Sequence, residues 1–228
     1  MIIEIIVTSA SEAKLAEEYG AHRLELIHAF EHGGLSPDLS ITQEVCDIVH
    51  VPVNVMLRCS PHVGFIYTST ELDLTLRELE FIWDFTKANG IVFGALDKNG
   101  TIDINALKLI IANKGHLKLT LHRAIDVSTD IISSYHLLLD TQAVDWVLTS
   151  GGADTAMNGV NMIKQMISIG QNSANARIIA GSGITPDNAK LIENSTGVTE
   201  LHIGTGVRSD GRLNKVKFDE LLSSQIHL

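Results

Sequence analysis

The residues of this chain that can move protons or hold anions cluster at the ends of short β-like runs. His122-Arg123 closes the run at residues 117–122. Histidine titrates near neutral pH and suits acid–base work; His122 can equally be a hydrogen-bonded interior group. Asp126 can orient His122, pair with Arg123 or cap a helix. Asp97 ends another run and can serve as a second acid–base group, although Asp97-Lys98-Asn99-Gly100 also reads as a plain turn. Arg58 follows the run at 52–57 and has the fork geometry of an anion clamp. Glu4 and Glu25 can be paired carboxylates on adjacent strands, sharing a proton or holding a cation; a salt-bridged pair is the alternative.

Two glycine-bearing ends lie late in the chain. Ala180-Gly181-Ser182-Gly183 follows Arg177-Ile178-Ile179, and Ile203-Gly204-Thr205-Gly206 follows Glu200-Leu201-His202. A strand ending in Gly-x-Gly lets a phosphate approach backbone N–H groups without meeting a Cβ. Ser150-Gly151-Gly152 can complete an anion cradle with Gly181, Ser182, Gly183, Gly204 and Gly206. Turn geometry alone is the competing reason for these glycines.

Eight β-like runs carry these residues, at 2–7, 23–27, 52–57, 91–95, 117–122, 146–149, 177–180 and 200–204. Helical patterns lie between most of them, at 11–20, 70–89, 103–113, 131–140, 157–170 and 186–194, with a short one at 216–224. Strict β–α alternation implies a parallel sheet. Eight repeats favour closure into one (β/α)8 barrel spanning residues 1–228, where phosphate sites often follow strands 7 and 8. No Gly-x-Gly-x-x-Gly follows the first run, which argues against a dinucleotide-binding sheet.

Strand alternation also assigns faces. Ile3, Ile5 and Val7 form an apolar face for the helix layer, so Glu4 points inward. The same phase sends Arg23, Glu25, Asn54, Met56, Arg58, Thr120, His122, Glu200 and His202 into the barrel. Interior charges must be paired. They make either a structural network or a ligand pocket.

The bulk numbers narrow the class. The chain has 228 residues, 45% of them hydrophobic, and a net charge of −10. That balance disfavours nucleic-acid binding, which needs clustered Lys and Arg. No apolar stretch reaches the roughly 18 residues of a membrane span. Two cysteines make no disulfide framework, so an intracellular protein is expected. The first apolar run is broken by Glu4 and lacks a basic segment, so no signal peptide is expected. Ten histidines show no metalloprotease or zinc spacing.

Several segments in order resemble the CutC family of copper homeostasis proteins. They include Tyr19-Gly20-Ala21-His22-Arg23-Leu24-Glu25-Leu26, Glu31-His32-Gly33-Gly34-Leu35-Ser36-Pro37, Pro52-Val53-Asn54-Val55-Met56-Leu57-Arg58, Val92-Phe93-Gly94-Ala95-Leu96-Asp97 and Leu121-His122-Arg123-Ala124-Ile125-Asp126. Val147-Leu148-Thr149-Ser150-Gly151-Gly152 and the two glycine ends complete the set. The resemblance implies a (β/α)8 barrel, a cytoplasmic location, homo-oligomers and a role in copper handling, with copper as a possible bound ion. The departures bear on that last point. Family members proposed to bind copper carry cysteines where this chain has Ile6 and Ile27. The loop Arg58-Cys59-Ser60-Pro61-His62-Val63-Gly64-Phe65 keeps the family's first arginine and lacks its second arginine and its aspartate. Met56, Cys59 and His62 can form a relocated soft site, or the loop is ordinary with one free thiol. The ligand is then a copper ion or a small anion. The readings left open are a copper homeostasis protein, an enzyme acting on a small phosphorylated or carboxylated metabolite, and a non-catalytic metabolite binder.

Overall fold

Apolar runs too short to be helices alternate with amphipathic stretches, and the chain resolves this pattern by closing a sheet on itself. The computed structural model describes residues 1–61 and 65–224. Its eight parallel strands are β1 (Ile2–Val7), β2 (Arg23–Leu26), β3 (Val53–Met56), β4 (Gly90–Phe93), β5 (Lys118–Leu121), β6 (Trp146–Thr149), β7 (Arg177–Gly181) and β8 (Glu200–Ile203). They form a closed barrel in chain order, with β8 returning to β1. The (β/α)8 expectation is met.

Among the described residues eight α-helices cover the barrel: α1 (Ala10–Tyr19), α2 (Leu39–Ile48), α3 (Ser69–Phe85), α4 (Ile104–Asn113), α5 (Ile131–Thr141), α6 (Val160–Gly170), α7 (Pro186–Thr196) and α8 (Lys215–Ser224). Their ends follow local chemistry. Ser9 accepts from the Glu12 N–H to start α1, and Gly20 stops it at φ 103. Thr68 and Glu71 form a reciprocal capping box on α3. Thr185 and Asn188 do the same for α7, with Pro186 in its first turn.

The sequence carries no clear helical signal for α2. Ile41, Thr42, Val45 and Ile48 are β-branched and weaken helix propensity, and Asp38 at its start makes no side-chain cap. Packing of Thr42, Val45 and Cys46 against the barrel supplies the stability that the local sequence withholds. A two-strand ribbon, Arg208–Ser209 against Arg212–Leu213, also went unread; its strands are too short for a periodic signal.

The core lies between strands and helices. Ile3, Ile5, Val7, Leu24, Leu26, Val55, Leu119 and Leu121 are fully buried there. Each such side chain contributes about 2 kcal/mol of burial. This settles the phase: alternate residues must face the barrel interior. No described helix is long and apolar enough to cross a membrane.

Candidate functional site

Register sets the interior. Glu4 on β1 lies opposite Arg23 on β2 and His202 on β8, while Glu25 lies opposite Asn54 on β3. All five are buried, with Glu200. Arg23 forms an ion pair with Glu4 and a second with Glu200 at 2.7 Å. The Trp146 indole N–H donates to Glu200 at 2.9 Å, and the Arg23 guanidinium lies 4.5 Å from the Trp146 ring centre. Asn54 donates to Glu4 at 3.3 Å. His202 joins the two interior carboxylates, with Nδ1 2.8 Å from Glu4 and Nε2 3.5 Å from Glu25.

The two carboxylates receive unequal support. Burial alone would raise Glu4, but Arg23 and His202 outweigh it and hold its pKa near 2. Burial raises Glu25 to about 7, the neighbouring Glu4 charge adds to that, and His202 only partly offsets them. His202 itself would be lowered by burial, yet Glu25 and Glu4 raise it. Oε1 of Glu25 is buried and has no hydrogen-bond partner among the described residues.

Above this network a cavity of about 400 Å³ opens at the C-terminal ends of the strands. Glu25 and His202 are on its wall, joined by Arg58, His122, Arg123 and Phe65. His122 follows β5 and is buried. Its Nδ1 accepts from the Ala124 N–H at 3.1 Å, which assigns the ring proton to Nε2. That Nε2 is buried with no partner among the described residues. Burial first, and then the Arg58 charge, lower the His122 pKa to about 3. At neutral pH the ring is therefore an uncharged N–H donor. Gly94 makes room for it, because a Cβ there would lie 2.6 Å from His122 Nδ1.

Arg58 is buried just past β3. Its Nη1 donates to the His32 and Gly34 carbonyls at 3.0 and 3.2 Å, so it pins that loop to the cavity rim. Its guanidinium lies 4.9 Å from the Phe65 ring centre, and Phe65 also packs on His122 at 4.8 Å. No sequence signal marked Phe65; Phe30, another cavity aromatic, was equally silent. His202 was read as facing inward, but its bridge between two carboxylates needed the register of β8 on β1.

Arg123 lines the cavity and is tied elsewhere, to Asp126 at 2.8 Å and the Ser150 hydroxyl at 2.9 Å. Of the three roles open to Asp126, pairing with Arg123 is the one observed. Asp126 also accepts from the Ser150 and Gly152 N–H groups and the Thr149 hydroxyl, fixing the turn after β6. Ser150 and Gly151 belong to that turn. Asp97 lies outside the cavity lining, and its carboxylate accepts from the Asn99 and Thr101 N–H groups at 2.9 Å each, the pattern of a turn.

The glycine ends divide. Ser182, Gly183, Gly204 and Thr205 line the cavity, whereas Gly181 and Gly206 do not. A Cβ on Gly206 would sit 1.9 Å from the Ile184 carbonyl oxygen, and one on Gly151 would sit 2.6 Å from that of Gly159. Packing accounts for those two. Glu4 also lies outside the lining, although His202, which contacts it, belongs to it.

The soft-ligand positions do not converge. Ile6, Ile27 and Met56 all line the cavity, so the two isoleucines present hydrocarbon there and only Met56 offers a thioether. Cys59 lies outside the lining; its thiol contacts the Glu71 carbonyl at 3.6 Å, and the Thr75 hydroxyl lies 3.7 Å from its sulfur. His62 lies outside the described residues. Among the described residues no group of three or more His, Cys, Asp or Glu is placed to hold a metal ion.

Comparison with known proteins matches residues 1–207 to the CutC family model. A CutC family protein from Pasteurella multocida (strain Pm70) is 36% identical over 210 residues, covering 91% of this chain and 84% of the relative. The copper homeostasis protein cutC homolog of Mus musculus is 35% identical over 204 residues, covering 88% and 72%. The crystal structure of CutC from Streptococcus agalactiae superposes with a TM-score of 0.82 at 23% identity, over 91% of this chain and all of that one. Phosphoribosyl anthranilate isomerase from Thermococcus kodakaraensis shares the fold alone, at TM-score 0.65 and 15% identity, over 98% and 97%.

Proposed function

The chain belongs to the CutC family, and we propose that it binds a small phosphorylated or carboxylated metabolite in the mouth of its barrel. One observation carries this reading: a single cavity gathers Arg58, Arg123 and the uncharged N–H edge of His122. In a chain of net charge −10, Arg58 sets a positive charge on the cavity lining, and Arg123, paired with Asp126, adds a second guanidinium. Guanidinium forks match carboxylate and phosphate geometry. Ser182, Gly183 and Gly204 add backbone to the lining of the same cavity. Phe30, Phe65 and Ile184 add an apolar wall, as small-molecule sites require.

Some relatives carry a copper homeostasis name. Cu(I) favours thiolate or thioether donors, and of these the described lining of the cavity holds one, Met56, with Ile6 and Ile27 beside it and the imidazoles of His32, His122 and His202 elsewhere on the lining. A single thioether without a thiolate favours the anion over a bound Cu(I) ion. In this reading a part in copper homeostasis passes through the metabolite, in the cytoplasm, where Cys46 and Cys59 remain reduced.

Two titrations test this. Calorimetry with inorganic phosphate should give saturable binding to the wild type and at least tenfold weaker binding to Arg58→Gln. An anaerobic Cu(I) competition titration, with Cys59→Ser in parallel, should give no stoichiometric binding. Tight Cu(I) binding lost in Cys59→Ser would replace the anion reading with a copper site.

A further inference from the structure

The mouth of the barrel holds two buried polar atoms that nothing in the described protein satisfies. One is Oε1 of Glu25, on β2; the other is Nε2 of His122, just past β5. Both residues belong to the wall of the same cavity, with β3 and β4 between them around the barrel. A buried polar atom without a partner is costly to keep. Two such atoms on one cavity wall are therefore explained by a ligand that bonds both.

We infer that the cavity transfers a proton at a carbon next to a carbonyl, with Glu25 as the base and the His122 N–H holding the carbonyl oxygen. The inference rests on the anion reading above, since Arg58 and Arg123 would seat the phosphate or carboxylate of the same molecule. It makes the substrate class an α-hydroxycarbonyl or ketoacid bearing that anionic group.

The step balances without a co-reactant. The C–H bond breaks and its proton passes to Glu25. The bonding pair forms a C=C bond, and the carbonyl π pair moves onto oxygen. His122 Nε2–H bonds that oxyanion; being an uncharged donor, it stabilises the oxyanion without first being protonated. Return of the proton to the same carbon exchanges its hydrogen isotope or inverts it. In an α-hydroxycarbonyl, return to the old carbonyl carbon, with the hydroxyl proton passing to the old carbonyl oxygen, gives the isomer.

The surroundings divide the labour within Glu25. Oε2 is the oxygen beside His202, at 3.5 Å, which leaves Oε1 for substrate. Burial, reinforced by Glu4, places the carboxyl near pH 7, where a base can both take and return a proton. The charged groups around it are Glu4 from β1, Arg23 from its own strand, His202 from β8 and, on the cavity wall, Arg58 past β3.

The test is hydrogen–deuterium exchange in deuterium oxide, read by proton NMR, with dihydroxyacetone phosphate, a pentulose phosphate and phosphoenolpyruvate's keto analogue, phosphonopyruvate, as probes. Inorganic phosphate binding is measured alongside. We expect the wild type to exchange at least one probe tenfold or more above buffer, with a rate that rises with pH through about 7. Glu25→Gln should abolish exchange and keep phosphate binding and the wild-type circular dichroism; Glu25→Asp keeps the carboxylate and should retain part of the rate, which covers misfolding of the glutamine variant. Phosphate binding without exchange of any probe overturns the proton-transfer inference and leaves the anion reading standing. Exchange that survives Glu25→Gln overturns the role of Glu25. Absence of phosphate binding removes the anion reading first, and this inference with it.

Discussion

His202 contacts Glu4 through Nδ1 at 2.8 Å, and that contact separates the fates of two interior carboxylates. Glu4 also receives the Arg23 guanidinium and a hydrogen bond from Asn54, so three groups support its ionised form. Glu25 is left with the far edge of the same imidazole. One carboxyl is held ionised near pKa 2 and the other is poised near 7. Carboxylates driven apart in this way take different roles, Glu4 as a structural anchor and Glu25 as a titrating group.

Removing the bridge should therefore cost stability. His202→Ala leaves both carboxylates buried without it, and breaking a buried ion pair costs about 3 kcal/mol. Urea unfolding should show that loss. A change below about 1 kcal/mol would mean that the network behaves like a surface pair.

The pH dependence follows from the signs. Glu25 has a folded pKa raised from 4.5 to about 7, so its contribution is full below pH 4.5 and lost as pH rises through about 7. His202 is also raised, so its contribution is full below 6.5 and lost at higher pH. Glu4 is depressed, so its contribution is present above 4.5 and lost as pH falls toward 2. His122 stays neutral when folded, and the stability it adds is lost as pH falls from 6.5 to about 3. The Glu25 share can be isolated. Between about pH 4 and about pH 8, Glu25→Gln should gain roughly 3 kcal/mol on the wild type. A stability difference independent of pH would contradict the raised pKa.

Arg58 and His122 are coupled through charge. In the wild type the His122 ring should remain neutral down to about pH 3. Without the neighbouring guanidinium, in Arg58→Gln, its titration should move upward, as followed by NMR of the ring. An unchanged titration would leave burial as the whole cause.

Much of this interior was legible in the sequence, because a period of two admits only one phase. Once Ile3, Ile5 and Val7 claim the helix side, Glu4 must face in, and the same logic placed Glu25, Asn54, His122 and His202. Strand phase cannot give depth or cross-strand partners. It could not say that Glu4 lies outside the cavity lining while Glu25 belongs to it, nor that Asp126 would bond the turn after β6. Phe65 adopts a left-handed φ of 56 in an irregular segment, where no period exists to read. Gly206 looked like a phosphate contact because a packing glycine and a ligand glycine are the same letter.

That last distinction can be tested. Gly206→Ala forces a Cβ against the Ile184 carbonyl, so it should destabilise the fold by about 2 kcal/mol, read as a lower thermal midpoint. A variant with wild-type stability and weakened phosphate binding would return Gly206 to the cradle. Asp126→Asn should likewise lower the midpoint, since the carboxylate accepts from three neighbours in the turn after β6 and pairs with Arg123.

On the proposed reading a small anion sits in the mouth of the barrel, against His122 and Arg58. Its most direct test is a titration of the protein with phosphoglycolate, followed by isotope-edited NMR of the His122 ring. A saturable shift of the Nε2 resonance is expected, and it should be absent in Arg58→Gln. Saturable binding by calorimetry with an unmoved His122 resonance would place the anion elsewhere and contradict it.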